Sequence, residues 1–373
     1  MLLLIPGPVM THPSVRAAAN ADIAPWDSEE RARIAHLLER LRDLAGGDAG
    51  THVALPLPGS GHFIIEAAIR SFVRPEGGIL IPETGQYADR MIRLAREIGR
   101  RVVTLPAPLD RPIVPEAVAE ALAADPGLSH VGLIYSETST GILHDPEAIG
   151  AVVRAAGRRM ILDAVSAFGA LPIRVADHPE IDALVFTPNK CLEALPGFSV
   201  SVSPTARLEE ARGKAGSWSF DLGDLYDNGR VNGFGSSRFT PSAQSMAALA
   251  VALDRLEAEG GPPARLARYR ANMTALRGGL EEIGMGFFLP PALQGPIVLN
   301  VRAPDTPEWD LQRFVDALKA RGVLISNFRN TEAPSFRVGA IGAITPADMR
   351  MAVAAMSGAL HDLGLAPFLG DRR

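Results

Sequence analysis

Short apolar runs alternate with segments of helical period through the first half of this 373-residue chain. The runs at 78–81, 131–135 and 160–162 have the length of buried strands. Helical segments of roughly 10–15 residues lie between such runs, and this alternation is typical of βαβ units. Strands connected in this way form a mainly parallel sheet with helices on both faces. The sequence therefore predicts an α/β fold built on a doubly wound sheet.

The length of the chain predicts more than one domain, because single hydrophobic cores stop growing at about 250–300 residues. Gly260-Gly261-Pro262-Pro263 is the best candidate linker, since glycine and proline interrupt regular structure. We expect an N-terminal arm (1–20), a large domain (21–259) and a smaller C-terminal α+β domain (260–373). Residues 215–240 are rich in glycine and serine, and we expect a long irregular loop there with a functional or interfacial role.

Charge and cysteine content exclude several functional classes. The net charge is −5 and no long basic block occurs, so we expect neither nucleic acid nor a membrane as a partner. Cys191 is the only cysteine, which rules out an intrachain disulfide and a thiolate metal cluster, and no metal site is expected. Residues 1–5 are apolar but too short for a signal peptide, and no apolar run reaches about 18 residues. We therefore expect a cytoplasmic protein.

A carboxylate and an amine follow two of the predicted strands. Asp163 ends the apolar run 160–162, and Lys190 comes shortly after the run 183–186. The carboxyl ends of parallel strands meet at one edge of the sheet, where open α/β sheets bind ligands. An enzyme that uses pyridoxal 5′-phosphate (PLP) needs this pair: a lysine for the Schiff base and an acid that keeps the pyridine nitrogen protonated. Taken alone, a capping aspartate and an unrelated surface lysine would give the same pattern.

Other residues are expected near the same edge. Tyr87 and Thr138 follow further strands, and Gly59-Ser60-Gly61-His62 opens a predicted helix. Small residues at a helix start expose backbone N–H groups to a phosphate, although a plain strand-to-helix turn would look similar. Arg337 lies on an otherwise apolar strand, so it should face a carboxylate or another oxyanion, either in a ligand or in an internal salt bridge.

A series of short motifs follows along the chain: Gly59-Ser60-Gly61, Gly85-Gln86-Tyr87, Glu137-Thr138-Ser139-Thr140-Gly141, Asp163-Ala164-Val165-Ser166-Ala167-Phe168-Gly169, Asn189-Lys190-Cys191, Pro196-Gly197-Phe198 and Arg238-Phe239-Thr240. Together they resemble the class V (subgroup IV) PLP-dependent aminotransferases, nearly end to end. The resemblance implies PLP fold type I, the aspartate aminotransferase-like fold, for the large domain. Within the class, the motifs are most similar to the branch that acts on 2-aminoethylphosphonate and pyruvate, with the alanine–glyoxylate and serine–glyoxylate enzymes as close relatives.

The resemblance implies a role at the PLP ring for several residues. Lys190 would bind the cofactor covalently and later transfer the substrate proton. Asp163 would pair with the pyridinium N1–H group. Tyr87 would stack on one face of the ring and Val165 would pack on the other, with Thr138 near the phenolic oxygen.

The resemblance also implies how the phosphate and the substrates are bound. Backbone N–H groups of Ser60, Gly61 and His62 would contact the phosphate, and the side chain of Asn189 could add a hydrogen bond. Thr240 would reach the phosphate of the neighbouring subunit in a homodimer with shared active sites. Arg337 would bind the carboxylate of the 2-oxo acid and the phosphonate of the amino donor, with Pro8 of the arm also at the substrate.

Two segments depart from the pattern of the aminoethylphosphonate branch. Ile325-Ser326-Asn327-Phe328-Arg329 replaces a Tyr-Pro-Gly-Lys-like turn before the arginine strand. Arg329 is then either an anion contact in place of the lysine or a solvated surface residue. Pro241-Ser242-Ala243-Gln244 follows Thr240 where a serine-proline-threonine-histidine order is expected.

The leading hypothesis is a transaminase of phosphonate catabolism that converts 2-aminoethylphosphonate and pyruvate into phosphonoacetaldehyde and alanine. One alternative keeps the cofactor and changes the substrates, as in an alanine/serine–glyoxylate aminotransferase. Another is a PLP lyase or desulfurase, although Cys191 beside Lys190 is expected to be packed rather than mobile. The last is a non-enzymatic α/β binding protein, which the joint presence of Lys190, Asp163 and Tyr87 disfavours.

Overall fold

The computed structural model describes residues 1–327, 331 and 333–365. Its strands are β1 (Leu2–Leu3), β2 (His52–Pro58), β3 (Gly78–Glu83), β4 (Arg101–Pro106), β5 (Leu128–Ile134), β6 (Ser136–Glu137), β7 (Ile142–Leu143), β8 (Arg159–Asp163), β9 (Ile181–Phe186), β10 (Phe198–Pro204), β11 (Val298–Arg302), β12 (Val323–Leu324) and β13 (Ser335–Gly339). Its helices are α1 (Pro13–Ala17), α2 (Ser28–Leu44), α3 (Gly61–Phe72), α4 (Gln86–Glu97), α5 (Pro115–Ala124), α6 (Pro146–Ala155), α7 (Thr205–Ala211), α8 (Leu222–Asn232), α9 (Ala243–Glu259), α10 (Gly261–Glu282), α11 (Leu311–Ala320) and α12 (Pro346–Asp362).

Within those residues, seven strands form one large sheet in the order β2-β10-β9-β8-β5-β3-β4. The five strands from β9 to β4 are parallel, and β10 pairs antiparallel with both β2 and β9. Asp163 at the end of β8 is in register with Val185 near the end of β9. Since the two strands are parallel, Asp163 and the segment leading to Lys190 leave the sheet at the same edge.

Helices cover both faces of this sheet because its central strands are apolar on both sides. Ile79 and Ile81 of β3 belong to one core cluster, whereas Leu80 between them belongs to the other. The same alternation separates Ile161 from Leu162 in β8. One cluster contains buried residues of α3, α4 and α8, and the other contains buried residues of α2, α5, α6 and α9.

The C-terminal region has its own core, to which the N-terminal arm contributes. The antiparallel pair β11–β13 packs with residues of α10, α11 and α12, and Leu4 of the arm is buried among them. Strand β1 pairs in parallel with β12, and the N–H of Gly339 donates to the carbonyl of Leu4 at 2.8 Å. The first residues of the chain are therefore fixed against its last third.

One local prediction was wrong. Residues 215–240 contain the regular helix α8, because Asp221 accepts a hydrogen bond from the N–H of Asp224 at 2.9 Å and Leu222 and Leu225 are buried. At the predicted linker the chain makes a tight turn, in which Gly260, with a φ of 108°, ends α9 and α10 begins at once with prolines in its first turn. In the described part of the chain, no helix has the length and apolar character needed to span a membrane.

The edge of the sheet opposite Lys190 is stabilised by a buried carboxylate, that of Asp182 near the start of β9. It accepts hydrogen bonds from His130 Nε2 at 3.1 Å, from Arg159 Nε at 2.7 Å and from Arg207 Nε and Nη2 at 3.0 Å. Burial alone would raise the pKa of Asp182, but hydrogen bonds from His130, Arg207 and Arg159 lower it. The carboxylate thus joins β5, β8 and α7 to β9.

We predict that Asp182→Ala lowers the free energy of unfolding by about 3 kcal/mol, because it removes the buried carboxylate that accepts from His130, Arg159 and Arg207. Urea unfolding at pH 7 would measure the loss. Asp110→Ala is the control, since Asp110 pairs with Arg111 on the surface, and it should cost less than about 1 kcal/mol. Equal losses in the two variants would contradict the central role of Asp182.

Candidate active site

The site lies where the parallel strands end, around Asp163 and Lys190. Asp163 is only 4% exposed and Lys190 only 7%. Oδ1 of Asp163 accepts a hydrogen bond from the N–H of Val165 at 2.8 Å. Burial raises the pKa of Asp163 to about 6, and the Val165 N–H group and the positive charge of Lys190 offset part of that rise. The charge of Lys190 acts on the Asp163 carboxyl group, so the amine and the carboxylate lie near each other at this edge of the sheet.

Tyr87 lies beside the lysine. It is in the first turn of α4, which follows β3, and the Nζ atom of Lys190 is 5.9 Å from the centre of its ring. The guanidinium carbon of Arg90 is 5.0 Å from the same ring centre. Burial acts to raise the pKa of Tyr87, but the charge of Lys190, the side chain of Thr138 and the nearby arginines lower it overall.

Glu137 holds Tyr87 in place, a role that sequence reasoning missed. Its fully buried carboxylate accepts hydrogen bonds from the N–H of Tyr87 at 3.2 Å and from the N–H of Ser139 at 3.0 Å. The hydroxyl of Ser139 also donates to it. Burial, with a contribution from the charge of Asp163, raises the pKa of Glu137 to about 7. A glutamate at the end of an apolar strand was the available signal in the sequence.

Arg337 brings a cation into the site from β13. It is 2% exposed, and its Nη1 atom donates to the carbonyl of Thr138 at 2.7 Å. Burial lowers the pKa of Arg337, and the nearby Tyr87 and Glu137 partly offset this effect. The predicted strand arginine thus joins residues from the ends of β3 and β5 at the crevice.

A cavity of about 410 Å³ connects these groups to the surface. Lys190, Tyr87 and Arg337 line it, together with residues of the arm, of α11 and of segment 324–327. A Cβ atom on Gly7 would lie 2.6 Å from Cδ of Lys190. The backbone of the arm therefore packs directly against the lysine side chain. Pro8 is exposed and is not among the described residues that line this cavity.

A second part of the site is the start of α3. Ser60 is the N-cap residue, and Gly61 and His62 open the helix, so backbone N–H groups are available to an anion at this end. A Cβ atom on Gly61 would lie 2.9 Å from Cγ2 of Val165, two residues after Asp163. The helix start therefore packs directly against the loop that follows β8. Burial and the charge of Arg90 lower the pKa of His62.

Buried hydroxyl groups complete this part of the crevice. Within the described residues, the Oγ1 atoms of Thr138 and Thr187 are buried and make no hydrogen bond of standard geometry. Thr138 is nevertheless close enough to Tyr87 to affect its pKa. Thr187 was missed by the sequence analysis, and its Cγ2 atom would lie 3.6 Å from a Cβ atom on Gly61.

These residues fit PLP. A buried carboxylate with a raised pKa suits a protonated ring nitrogen, an aromatic side chain suits the ring face, and a helix start suits the phosphate. The buried hydroxyl of Thr187 is a donor that the protein itself leaves unused. In the part of the chain that the structure describes, no three His, Cys, Asp or Glu side chains are grouped so that they could hold a metal ion.

The three predicted residues that remain are Asn189, Thr240 and Arg329. Asn189 is half-buried next to Lys190, and its carbonyl accepts a hydrogen bond from the N–H of Val9 at 3.3 Å. Thr240 is exposed, in a segment held by Arg238, which donates to Asp224 at 2.6 Å and to the carbonyl of Trp218 at 2.8 Å. Arg329 lies outside the described residues.

Comparison with known proteins identifies the family. The family model named "Aminotransferase class-V" matches residues 58–345. The chain belongs to the class V aminotransferase family. The predictions of an aminotransferase and of PLP fold type I are thereby confirmed.

Known transaminases are similar to this chain over nearly its whole length. The 2-aminoethylphosphonate–pyruvate transaminase of Burkholderia ambifaria is 40% identical over 98% of this chain and 97% of its own length. The enzyme of the same name from Pseudomonas aeruginosa is 39% identical over 97% of this chain and 96% of its own. Among solved structures, pyridoxamine-pyruvate aminotransferase from Mesorhizobium loti superposes with a TM-score of 0.87 at 25% identity, covering 98% of this chain and 93% of its own.

We predict that Asp163 and Glu137 together make the cofactor-free protein less stable as the pH rises from 5 to 8. The pKa values of Asp163 and Glu137 are raised to about 6 and about 7, so the folded state binds their protons more tightly than the unfolded chain does. Their favourable contribution is complete below about pH 4 and is lost as the pH rises through 6 and 7, a change of roughly 2 kcal/mol or more.

Urea unfolding of the apoprotein at pH 5, 6.5 and 8 would measure this slope. The double variant Asp163→Asn/Glu137→Gln removes both titrating groups, and the difference between its slope and that of the unmodified protein gives their contribution. A double variant with the slope of the unmodified protein would show that other groups cause the pH dependence.

Proposed function

We propose that this protein is a PLP-dependent transaminase that transfers the amino group of 2-aminoethylphosphonate to pyruvate, giving phosphonoacetaldehyde and alanine. The observation that carries the proposal is that Lys190, Tyr87 and the buried Arg337 line the same cavity. The near full-length similarity to transaminases of that name supports the choice of substrates.

The residues that would hold PLP come from separate loops at the strand ends. They are Asp163 at the ring nitrogen, Tyr87 and Val165 at the ring faces, Thr138 near the phenolic oxygen, and Ser60, Gly61, His62 and Asn189 at the phosphate. When bound through its aldehyde to the amine of Lys190, PLP supplies an electron sink for the substrate carbon that carries nitrogen.

Lys190 is the proposed acid and base. Its Nζ atom would take the proton from the substrate carbon that bears nitrogen and would deliver it to the former aldehyde carbon of the cofactor. The backbone of Gly7 and the ring of Tyr87 restrict the volume in which Nζ can move. This restriction keeps the amine close to the reacting carbon, which is where a general base must lie.

Arg337 is the proposed binding group for both substrates. Pyruvate and alanine carry a carboxylate and 2-aminoethylphosphonate carries a phosphonate, and a guanidinium group binds either oxyanion through paired hydrogen bonds. Because Arg337 is buried, its charge is poorly screened by water and binds an anion more strongly than a surface arginine would. One cation can therefore serve both halves of the reaction.

Cys191 argues against desulfurase chemistry. Its thiol is fully buried, donates to the carbonyl of Ser166 at 3.3 Å, and has a pKa that burial raises to about 12. A desulfurase needs an accessible thiolate on a mobile segment. The cysteine beside Lys190 therefore fits a packing role.

We also propose a homodimer with shared active sites and a division into an arm (1–20), a PLP-binding domain (21–259) and a C-terminal domain (260–373). The dimer would let exposed Thr240 reach the phosphate of the neighbouring subunit. Trp218, which is 64% exposed beside this segment, supports a contact surface there.

We predict that the purified protein with PLP absorbs at about 400–430 nm and that Lys190→Ala abolishes this band. The substitution removes the amine that binds the cofactor covalently. Spectra of both proteins after addition of PLP and removal of the excess provide the measurement. A band that persists unchanged in the variant would contradict the role of Lys190.

The substrate assignment is tested by half-reaction rates with 2-aminoethylphosphonate, alanine and serine. We expect 2-aminoethylphosphonate and alanine to react well and serine poorly. Arg337→Gln should lower kcat/KM for both good donors by about 30-fold or more, because it removes the buried cation. Lys319→Gln is the matched control, since Lys319 is an exposed cation that lines the same cavity. Turnover of serine or alanine with glyoxylate that is faster by orders of magnitude would show that the substrates are wrong.

A further inference from the structure

The turn that carries Lys190 has an unusual backbone. Glu193, with a φ of 57°, is the only non-glycine residue with positive φ among the described residues. Its N–H donates to the carbonyl of Lys190 at 2.9 Å, and the N–H of Ala194 donates to the carbonyl of Pro188 at 3.0 Å. A left-handed backbone is unfavourable for a residue with a Cβ atom, so it persists only where surrounding contacts hold it.

Those contacts come from the side chain of Glu193, which reaches α10. Its Oε1 atom accepts hydrogen bonds from the hydroxyl of Tyr269 at 2.6 Å and from Nη2 of Arg268 at 2.7 Å. Tyr269 is completely buried and Glu193 is 7% exposed. A charge-assisted pair in this environment is strong and fixed in direction.

A second contact from α10 holds the residue next to the lysine. Buried Arg265 donates from Nη1 to the carbonyl of Cys191 at 2.7 Å, while its Nε atom donates to Glu259 at 2.7 Å. Arg265 and Tyr269 are four residues apart and therefore lie on the same face of α10. From this face, Arg265 binds the backbone of the lysine turn and Tyr269 binds the carboxylate of Glu193.

The same helix also binds the segment that follows Arg337. Nη1 of Arg268 donates to the carbonyls of Gly342 at 2.6 Å and Ile344 at 2.9 Å. The Nδ2 atom of Asn272 donates to the carbonyl of Ala340, just after β13, at 3.0 Å. Thus α10 connects the turn of Lys190 to the end of the strand that carries Arg337.

We propose that Glu193, through Tyr269 and Arg268, is a positioning residue that fixes the direction of the Lys190 side chain and its spacing from Arg337. The proposal rests on the proposed function, in which Lys190 binds PLP and Arg337 binds the substrate anion. Glu193 does not line the cavity that Lys190, Tyr87 and Arg337 share within the described residues. It acts on the site only through the turn.

The first test measures how fast the apoprotein captures PLP on Lys190. Glu193→Ala removes the carboxylate, Glu193→Gln keeps an oxygen that can accept both hydrogen bonds, and Glu193→Gly removes the carboxylate but relieves the backbone. We expect capture to slow roughly tenfold or more in the alanine and glycine variants and to recover largely in the glutamine variant, because the amine is misplaced without its anchor.

The absorbance of the bound cofactor gives a second signature. The pH at which the Lys190-linked band changes should shift in Glu193→Ala and return towards the original value in Glu193→Gln. Tyr269→Phe removes a single hydroxyl donor and should slow capture by a smaller factor, so the proposal stays testable where Glu193→Ala fails to fold. Wild-type capture by Glu193→Gly would overturn the role of the carboxylate.

Glu180→Ala is the matched control. Glu180 is also a buried glutamate, paired with Arg154 and His178, and it lies at the opposite edge of the sheet. This variant should lose stability and yet capture PLP at the original rate. Slowing in Glu180→Ala equal to that in Glu193→Ala would show a general effect of lost stability and overturn the proposal.

Hydrogen–deuterium exchange of the apoprotein tests the same idea without cofactor. Peptides that cover 188–197 should exchange faster in Glu193→Ala than in the unmodified protein or in Glu180→Ala, because the two turn amides lose protection. If the unmodified protein captures no PLP, the proposed function fails and exchange alone decides on Glu193. If capture, band titration and exchange all match the unmodified protein, Glu193 has no positioning role.

Discussion

The burial of Asp163 at the end of a parallel strand is the constraint on which the site depends. The register of β8 with β9 fixes this carboxylate next to Val185, and the start of α3 closes over the following loop because Gly61 has no side chain. A carboxylate buried in this way pays a desolvation cost that Lys190 and one backbone N–H offset only in part.

Much of this arrangement could be predicted from sequence because its signals are local. A strand buried on both faces is a continuous apolar run, so the first polar residue after it marks the edge of the sheet, as Asp163 does. The helix α8 could not be predicted, because its glycine- and serine-rich surroundings resemble a loop. The burial of Leu222 and Leu225 under the sheet decides its structure. At this segment the tertiary packing determines the structure, and the local composition does not.

The residues that sequence reasoning missed share a dependence on distant partners. Glu137 accepts from Tyr87, which lies 50 residues earlier, and Glu193 accepts from Tyr269, which lies 76 residues later. No spacing rule connects such pairs, because they meet only after several strands and helices have been placed. Thr187 was missed for a related reason: its contact with the start of α3 follows from the order of strands in the sheet. The sequence pattern predicts which edge of the sheet carries the site. It does not predict the long-range contacts that support the site residues.

Asp163 and Glu137 are both buried carboxyl groups, yet the structure treats them differently. Glu137 accepts hydrogen bonds from two backbone N–H groups and one hydroxyl, so its acceptor capacity is largely used by the protein. The carboxylate of Asp163 accepts one hydrogen bond, from the N–H of Val165, and is also attracted by the charge of Lys190. A protonated ring nitrogen would therefore find its partner in Asp163 and not in Glu137. The two raised pKa values have the same cause, burial, but the difference in hydrogen bonding suits Asp163 to binding a ligand and Glu137 to holding Tyr87 in place.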